Sequence, residues 1–135
     1  MTSPHDKLLY QVSGAISRIF DLSFLKTAGY GSNPRNIEDT LEIDMLGQKG
    51  NILYVFEVKT NENDTSEAIT QLKNRHLGLN LNKDNIVNKQ KQLPHYDYIK
   101  LFIVTPKNVQ EINEKGSLLN RWQLDKVMKT PEIIQ

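Results

Sequence analysis

The stretch that decides the fold is residues 41–60, LEIDMLGQKGNILYVFEVKT. Apolar side chains occupy alternate positions in its first part, and a run of β-branched and aromatic residues, 52–58, forms its second part. Between them lies Gly50-Asn51, a pair that is typical of two-residue hairpin turns. The sequence therefore predicts two antiparallel strands joined by this turn.

The turn sets the register of the two strands. If Lys49 pairs with Ile52, counting back places Asp44 directly opposite Glu57 on one face of the hairpin. Two carboxylates in that position have Cβ atoms roughly 4.5–5.5 Å apart and repel each other. A divalent cation such as Mg²⁺ fits the gap, because it takes oxygen ligands from carboxylates, carbonyls and water, and the carbonyl of Val58 is a natural third ligand.

Lys59 follows Glu57 by two residues and therefore lies on the same face of the strand. Its ammonium could orient or deprotonate a metal-bound water, or neutralise negative charge that develops on a phosphate. Glu42 also shares this face, opposite Lys59, where it forms either a further carboxylate of the site or a salt bridge with the lysine.

Two alternatives compete with a metal site. A longer loop over residues 47–50 would pair Asp44 with Leu53 and move Glu57 too far away for one ion to bridge the two carboxylates. The charges could also be ordinary solvated residues of a half-exposed strand. The second alternative fits poorly, because residues 52–58 are apolar on both faces apart from Glu57, and a buried carboxylate is seldom left without a partner.

Asp44, the hairpin, and Glu57-Val58-Lys59 behind a hydrophobic run together resemble the motif of the PD-(D/E)xK phosphodiesterase superfamily. This superfamily includes restriction endonucleases, archaeal Holliday-junction resolvases and many phage and repair nucleases. One difference is that Ile43, rather than proline, precedes Asp44. The resemblance implies that Asp44 and Glu57 bind Mg²⁺, with Mn²⁺ as a substitute, and that Lys59 assists hydrolysis of DNA.

The resemblance implies further site residues. Several members of the superfamily carry a glutamate on the first helix, which this chain lacks, so Glu38 and Glu42 are rival candidates for a third carboxylate. A glutamine or lysine on the helix after the Glu-x-Lys strand helps to line the site in many members. Gln71 lies at that position in the sequence, although an ordinary exposed glutamine would fit equally well.

Composition excludes several classes of protein. The chain has 135 residues, which suits a single domain over 1–135, and it contains no cysteine. Disulfides, cysteine zinc sites and a cysteine nucleophile are therefore excluded. We expect an intracellular protein without a membrane partner, because no apolar run approaches the ~20 residues of a membrane helix and the N-terminus lacks the layout of a signal peptide.

Basic residues concentrate in the middle of the chain, over residues 65–107, although the net charge of the whole chain is only +1. A basic segment beside an acidic metal site would attract a phosphate backbone without neutralising the site. Lys73 and Arg75 are candidate contacts for DNA. In the loop expected over residues 27–40, Arg35 and Asn36 could hold a phosphate and Tyr30 could stack on a base; an ordinary solvated face remains the alternative.

The remaining elements follow from hydrophobic periodicity and capping signals. Ser3-Pro4 predicts the start of a helix that continues to about Leu22. A second helix, over 65–79, begins at Asp64 or Thr65 with Glu67 as its capping-box partner. Residues 96–105 form a central strand parallel to the Glu57 strand, with that helix as the crossover. A short helix is expected over 107–115, and 118–135 favours a helix, with a strand as the alternative.

Together these elements predict an α/β fold of the restriction endonuclease-like kind, a mixed central sheet with a catalytic hairpin and helices on both faces. The expected function is that of a metal-dependent endonuclease acting on DNA. A homodimer would cut both strands of a duplex most simply, one strand per subunit. The alternative is a nucleic-acid-binding module that keeps the fold and has weak or no activity.

Overall fold

The structure, a computed structural model, describes residues 3–27, 43–81 and 95–124. Within these ranges the chain forms one sheet with a helix on each face, and neither helix has the length and apolar character needed to cross a membrane. The helices are α1 (Pro4–Phe20) and α2 (Thr65–Leu81), and the strands are β1 (Phe24–Thr27), β2 (Met45–Lys49), β3 (Ile52–Val58), β4 (Tyr98–Val104), β5 (Asn108–Ile112) and β6 (Leu118–Gln123).

The predicted hairpin is confirmed as β2 and β3. Lys49 pairs with Ile52 across a two-residue turn, and Gly47 pairs with Tyr54, which excludes the longer loop over 47–50. Gly50 has φ +60, a left-handed conformation that glycine adopts without the steric cost of a Cβ atom. The register on which the candidate site depends is therefore present.

The sheet is mixed, and its strands follow the chain in the order β1-β2-β3-β4-β5-β6. β3 and β4 run parallel, with α2 as the crossover between them, and the other neighbouring pairs are antiparallel. The predicted parallel arrangement of these two strands is thus confirmed. Both are almost fully buried toward their carboxyl ends, where the chain leaves β3 for α2.

Helix α1 begins where its sequence predicts and ends two residues before the predicted Leu22. The hydroxyl of Ser3 accepts a hydrogen bond from the backbone N–H of Asp6, and Pro4 occupies the first helical position. The helix ends at Phe20, since Asp21 adopts a left-handed conformation with φ +53. Its apolar stripe packs against one face of the sheet and comprises Leu8, Leu9, Val12, Ala15, Ile16 and Phe20.

The two faces of the sheet bury different side chains. On the α1 face, aromatic rings form a cluster centred on Phe102. The centroid of its ring lies 4.8 Å from the ring centroid of Phe20 and 5.0 Å from that of Phe56. On the α2 face the core combines aliphatic side chains, such as Leu72 of the helix and Val55 of β3, with the buried ring of Tyr96. The prediction of helices on both faces of a mixed sheet is confirmed.

The prediction of a helix over 107–115 is wrong, because residues 108–112 form strand β5. Its residues pair with β4, as Val109 does with Val104, and all but the first are buried. This pairing outweighs local helix preference. The glycine interpreted as a helix stop, Gly116, lies instead in the turn to β6 with φ +91, and its N–H donates to the carbonyl of Asn113.

Two further strands occupy the edges of the described sheet. Of the two alternatives for residues 118 onward, the strand is found over Leu118–Gln123, and 125–135 lie outside the described residues. Strand β1, at Phe24–Thr27, was not predicted, and it pairs with β2. The predicted loop over 27–40 lies outside the described residues, apart from its first residue.

The start of α2 differs from the predicted capping box. A short 3-10 turn, Glu62–Asp64, precedes the helix, and the side chain of Asn61 caps that turn by accepting from the N–H of Asn63. Thr65 donates its hydroxyl proton to the carbonyl of Glu62. The carboxylate of Glu67 forms an ion pair with Lys59 instead of bonding back to the cap residue.

Candidate active site

The site lies at the end of the hairpin away from its turn. Asp44 immediately precedes β2, and because Met45 pairs with Phe56, the next pair outward is Asp44 and Glu57. The N–H of Val58 donates to Asp44 Oδ2 at 2.8 Å. The carboxylate therefore takes the place that a backbone acceptor of β2 would otherwise occupy, and Asp44 is anchored beside Glu57.

Glu57 is the most perturbed titratable group among the described residues. Its side chain is 8% exposed. Burial, followed by the negative charge of Asp44 and a hydrogen bond between the two side chains, raises the pKa of Glu57 to about 8, although the charges of Arg75 and Lys59 oppose this shift. At neutral pH the pair consequently shares one proton, as two closely spaced carboxylates do.

The ammonium of Lys59 lies between two carboxylates. Nζ is 2.6 Å from Glu67 Oε1 and 3.9 Å from Glu57 Oε2, and the lysine side chain is only 13% exposed. Its backbone is fixed as well, since the N–H of Lys59 donates to the carbonyl of Val104 at 2.8 Å. The structure thus places Lys59 beside Glu57, as the sequence predicted, and adds Glu67 as a partner.

Helix α2 brings a row of polar side chains over this end of β3. Glu67, Gln71 and Arg75 follow one another at four-residue spacing and therefore lie on one side of the helix. Gln71 Oε1 is buried and has no hydrogen-bond partner among the described residues. Since buried polar atoms are nearly always paired, this oxygen is available to accept a hydrogen bond from water or to bind an ion.

The two basic residues predicted on α2 are placed differently. The charge of Arg75 acts on the carboxyl of Glu57, so this arginine belongs to the site. Lys73 is exposed and its Cδ lies beside Gly116 in the β5–β6 turn. The structure therefore brings Arg75, but not Lys73, to the carboxylates.

His5 contacts the site, and sequence reasoning missed it. Its Nε2 lies 3.2 Å from Asp44 Oδ2, and its Nδ1 lies 3.6 Å from Asp6 Oδ1. The imidazole comes from the first turn of α1, on the opposite face of the sheet from α2. Glu67 was missed as a site residue too, because it was assigned to a helix cap.

Several predicted site residues cannot be placed. The rival third carboxylates, Glu38 and Glu42, and the predicted phosphate and base contacts Arg35, Asn36 and Tyr30 all lie outside the described residues.

In the part of the chain that the structure describes, no three His, Cys, Asp or Glu side chains are gathered as a metal site. Among the described residues, the carboxylates of Asp44 and Glu57 are the pair best placed to bind a metal ion. In an extended strand the N–H and C=O of one residue point to the same edge, so the carbonyl of Val58 is expected on the edge where its N–H meets Asp44. These hard oxygen donors fit Mg²⁺ or Mn²⁺, with water completing the coordination.

Comparisons with protein-family models, with curated proteins and with solved structures find no match to this chain.

Proposed function

We propose that the protein is a metal-dependent nuclease that hydrolyses phosphodiester bonds in DNA. The observation that carries this proposal is the placement of Asp44 opposite Glu57 at the open end of a hairpin, with the ammonium of Lys59 3.9 Å from the Glu57 carboxyl. Asp44 and the buried Glu57 repel each other unless a proton lies between them, and a divalent cation could replace that proton.

The chain's own residues have distinct roles in the proposed reaction. Asp44 and Glu57 hold the cation, and Val58 anchors Asp44 through its N–H. When bound, the cation supplies Lewis-acid stabilisation of the phosphate and lowers the pKa of a coordinated water. Lys59 holds a positive charge where negative charge develops on the phosphate. Water attacks phosphorus, the bond to the leaving oxygen breaks, and that oxygen takes up a proton.

The PD-(D/E)xK resemblance belongs to this proposal, as does the finer assignment of a restriction endonuclease-like fold. The mixed sheet, the catalytic hairpin and the crossover helix after Lys59 support it. A homodimer in which each subunit cuts one strand remains part of the same proposal.

The test is a cleavage assay with Mg²⁺ or Mn²⁺ on linear, supercoiled, single-stranded and branched DNA. We expect cleavage of at least one substrate, its loss in EDTA, and its loss in Glu57→Gln. Glu111→Gln is the matched control, because Glu111 is also a buried strand carboxylate, 7% exposed, and bonds to Asn120 away from the site. If wild-type protein leaves every substrate intact with both metals, the proposal is wrong.

One observation favours the alternative of a DNA-binding module without activity. Lys59 is paired with Glu67 at 2.6 Å, closer than its distance to Glu57, so its ammonium is already engaged. The module predicts tight DNA binding that neither Mg²⁺ nor Asp44→Ala changes. The nuclease predicts that Asp44→Ala removes the effect of Mg²⁺ on binding and abolishes cleavage.

A further inference from the structure

We propose that His5 is a positioning residue that holds the carboxylate of Asp44 in its metal-binding orientation. The inference rests on the proposed function and assigns a role to a residue outside the Asp-Glu-Lys motif. His5 Nε2 lies 3.2 Å from Asp44 Oδ2, across 39 residues of sequence and from a different secondary-structure element. Both side chains are partly covered, with 37% of His5 and 17% of Asp44 exposed.

The contact acts on one oxygen of the carboxylate. Oδ2 faces both the N–H of Val58, at 2.8 Å, and the imidazole of His5, at 3.2 Å. When Nε2 carries a proton, His5 and Val58 both donate to this oxygen from different directions, and together they restrict rotation of the carboxylate about its Cβ–Cγ bond. Oδ1 is then the oxygen left for the cation. Val58 and Glu57, the other partners of Asp44, both belong to the hairpin, so His5 supplies a constraint from outside the hairpin.

The imidazole is supported in turn by the start of α1. His5 Nδ1 lies 3.6 Å from Asp6 Oδ1, and the backbone N–H of Asp6 is fixed by the hydroxyl of the cap residue Ser3. Carboxylates that bind metals are commonly hydrogen-bonded by outer residues that orient them, and His5 is placed to do this for Asp44. The capped first turn of α1 thus places His5 beside Asp44.

The arrangement connects the site to both faces of the sheet. Glu67 of α2 holds Lys59 on one face, and His5 of α1 holds Asp44 from the other. Each of the two side chains therefore has a partner on a different helix. Removing His5 should loosen Asp44 without disturbing Lys59.

The experiment is a calorimetric titration of Mg²⁺ and Mn²⁺ into wild type, His5→Ala, His5→Gln and His95→Ala. We expect His5→Ala to weaken the affinity for both ions by about 10–100-fold, as loss of an outer partner does at other metal sites. Gln keeps an N–H donor at a similar reach and should recover most of the affinity. His95→Ala is the matched control, because His95 also pairs with an aspartate, Asp97 at 2.8 Å, and should leave both affinities unchanged.

A second readout needs no metal. In EDTA, the backbone amide resonance of Val58 should move in His5→Ala, since Asp44 Oδ2 is its acceptor, and should stay in place in His95→Ala. This measurement separates the inference from the proposed function. If wild type binds neither ion but the Val58 resonance moves, the metal site is wrong and the positioning contact stands.

Three results would overturn the inference alone. The first is a His5→Ala variant that binds both ions as tightly as wild type while Asp44→Ala does not bind. The second is a Val58 resonance that does not move in His5→Ala. The third is a loss of Mn²⁺ affinity with Mg²⁺ affinity unchanged, because that selectivity would make the imidazole a direct ligand rather than a positioning group.

Discussion

The ammonium of Lys59 is 2.6 Å from Glu67 and 3.9 Å from Glu57, so the lysine of the Glu-x-Lys motif is held by a residue of helix α2. The lysine side chain is largely covered, whereas that of Glu67 is 63% exposed. Glu67 therefore contacts the lysine from the solvent side, while the ammonium of Lys59 stays beside Glu57.

Replacing Glu67 by Gln should lower the rate of cleavage by about 10-fold or more, because the residue that orients Lys59 loses its charge. The affinity for Mg²⁺ should stay the same, and stability should change by less than about 1 kcal/mol, because the Glu67 side chain is largely exposed. Steady-state cleavage and calorimetry measure the two effects. Glu62→Gln is the control, because its carboxylate forms a similar exposed pair with Lys107 at 3.8 Å. Equal losses of cleavage in both variants would contradict the role of Glu67.

Stability in EDTA should fall as the pH rises from about 4.5 to about 8. The pKa of Glu57 is raised to about 8 in the native state, so in this window the native protein keeps a proton that the unfolded chain has lost. The ionisation of this one group should lower the free energy of unfolding by about 1.4 kcal/mol per pH unit in the middle of the window. Urea unfolding at several pH values measures the slope.

Glu57→Gln should lose that part of the slope and gain stability relative to wild type above pH 8. Glu111→Gln, which changes a buried carboxyl outside the site, should keep the slope. A wild-type slope that Glu57→Gln leaves intact would assign the pH dependence to another group.

Binding of Mg²⁺ should release about one proton per ion at pH 7, because the cation displaces the proton that Glu57 shares with Asp44. Calorimetry in two buffers with different ionisation enthalpies counts the released protons. The number should approach zero at pH 9, and affinity should rise between pH 6 and 8. Proton release of the same size at pH 7 and pH 9 would contradict the shared proton.

Phe102→Ala should destabilise the protein by about 3–5 kcal/mol, since it empties the centre of the aromatic cluster on the α1 face. Phe102 is 1% exposed and contacts the rings of Phe20, Tyr54, Phe56 and Trp122. Tyr98 lies on the same strand but is 63% exposed, so Tyr98→Ala should change stability by no more than about 0.5 kcal/mol. Denaturant unfolding compares the two, and similar losses would contradict this account of the core.

The hairpin could be predicted because its determinants are local. Gly50-Asn51 sets the turn, and the apolar pattern on either side sets which residues pair, so the position of Asp44 opposite Glu57 follows from about fifteen residues of sequence. The parallel pairing of β3 with β4 could also be predicted. Both segments are apolar on two faces and a helix lies between them, which is the pattern of a crossover unit.

Strand β5 could not be predicted in the same way. The local pattern of residues 107–115 favoured a helix, but residues 108–112 become a strand because β4 offers backbone partners and a buried surface. Local preference was outweighed by pairing that depends on the rest of the sheet. Gly116 was interpreted as the end of that helix, but the positive φ that glycine allows also suits the turn in which it lies.

The side chains that contact the motif residues could not be predicted from local sequence. His5 meets Asp44 only because α1 packs across the sheet with its first turn at the site end. Glu67 fitted a capping box by spacing, but Lys59 lies within 2.6 Å and takes its carboxylate. In both cases the side chain had two chemically reasonable roles, and the packing of a helix on the sheet decided between them.

The central claim is that Asp44 and Glu57 bind one divalent cation that Lys59 does not bind. A calorimetric titration of Mg²⁺ into wild type and into the Asp44→Ala, Glu57→Ala and Lys59→Ala variants tests it most directly. The account predicts one ion bound by wild type, binding lost in both carboxylate variants, and binding retained in Lys59→Ala, which should no longer cleave DNA. If all three variants lose Mg²⁺ binding equally, or if the carboxylate variants bind as wild type does, the claim is wrong.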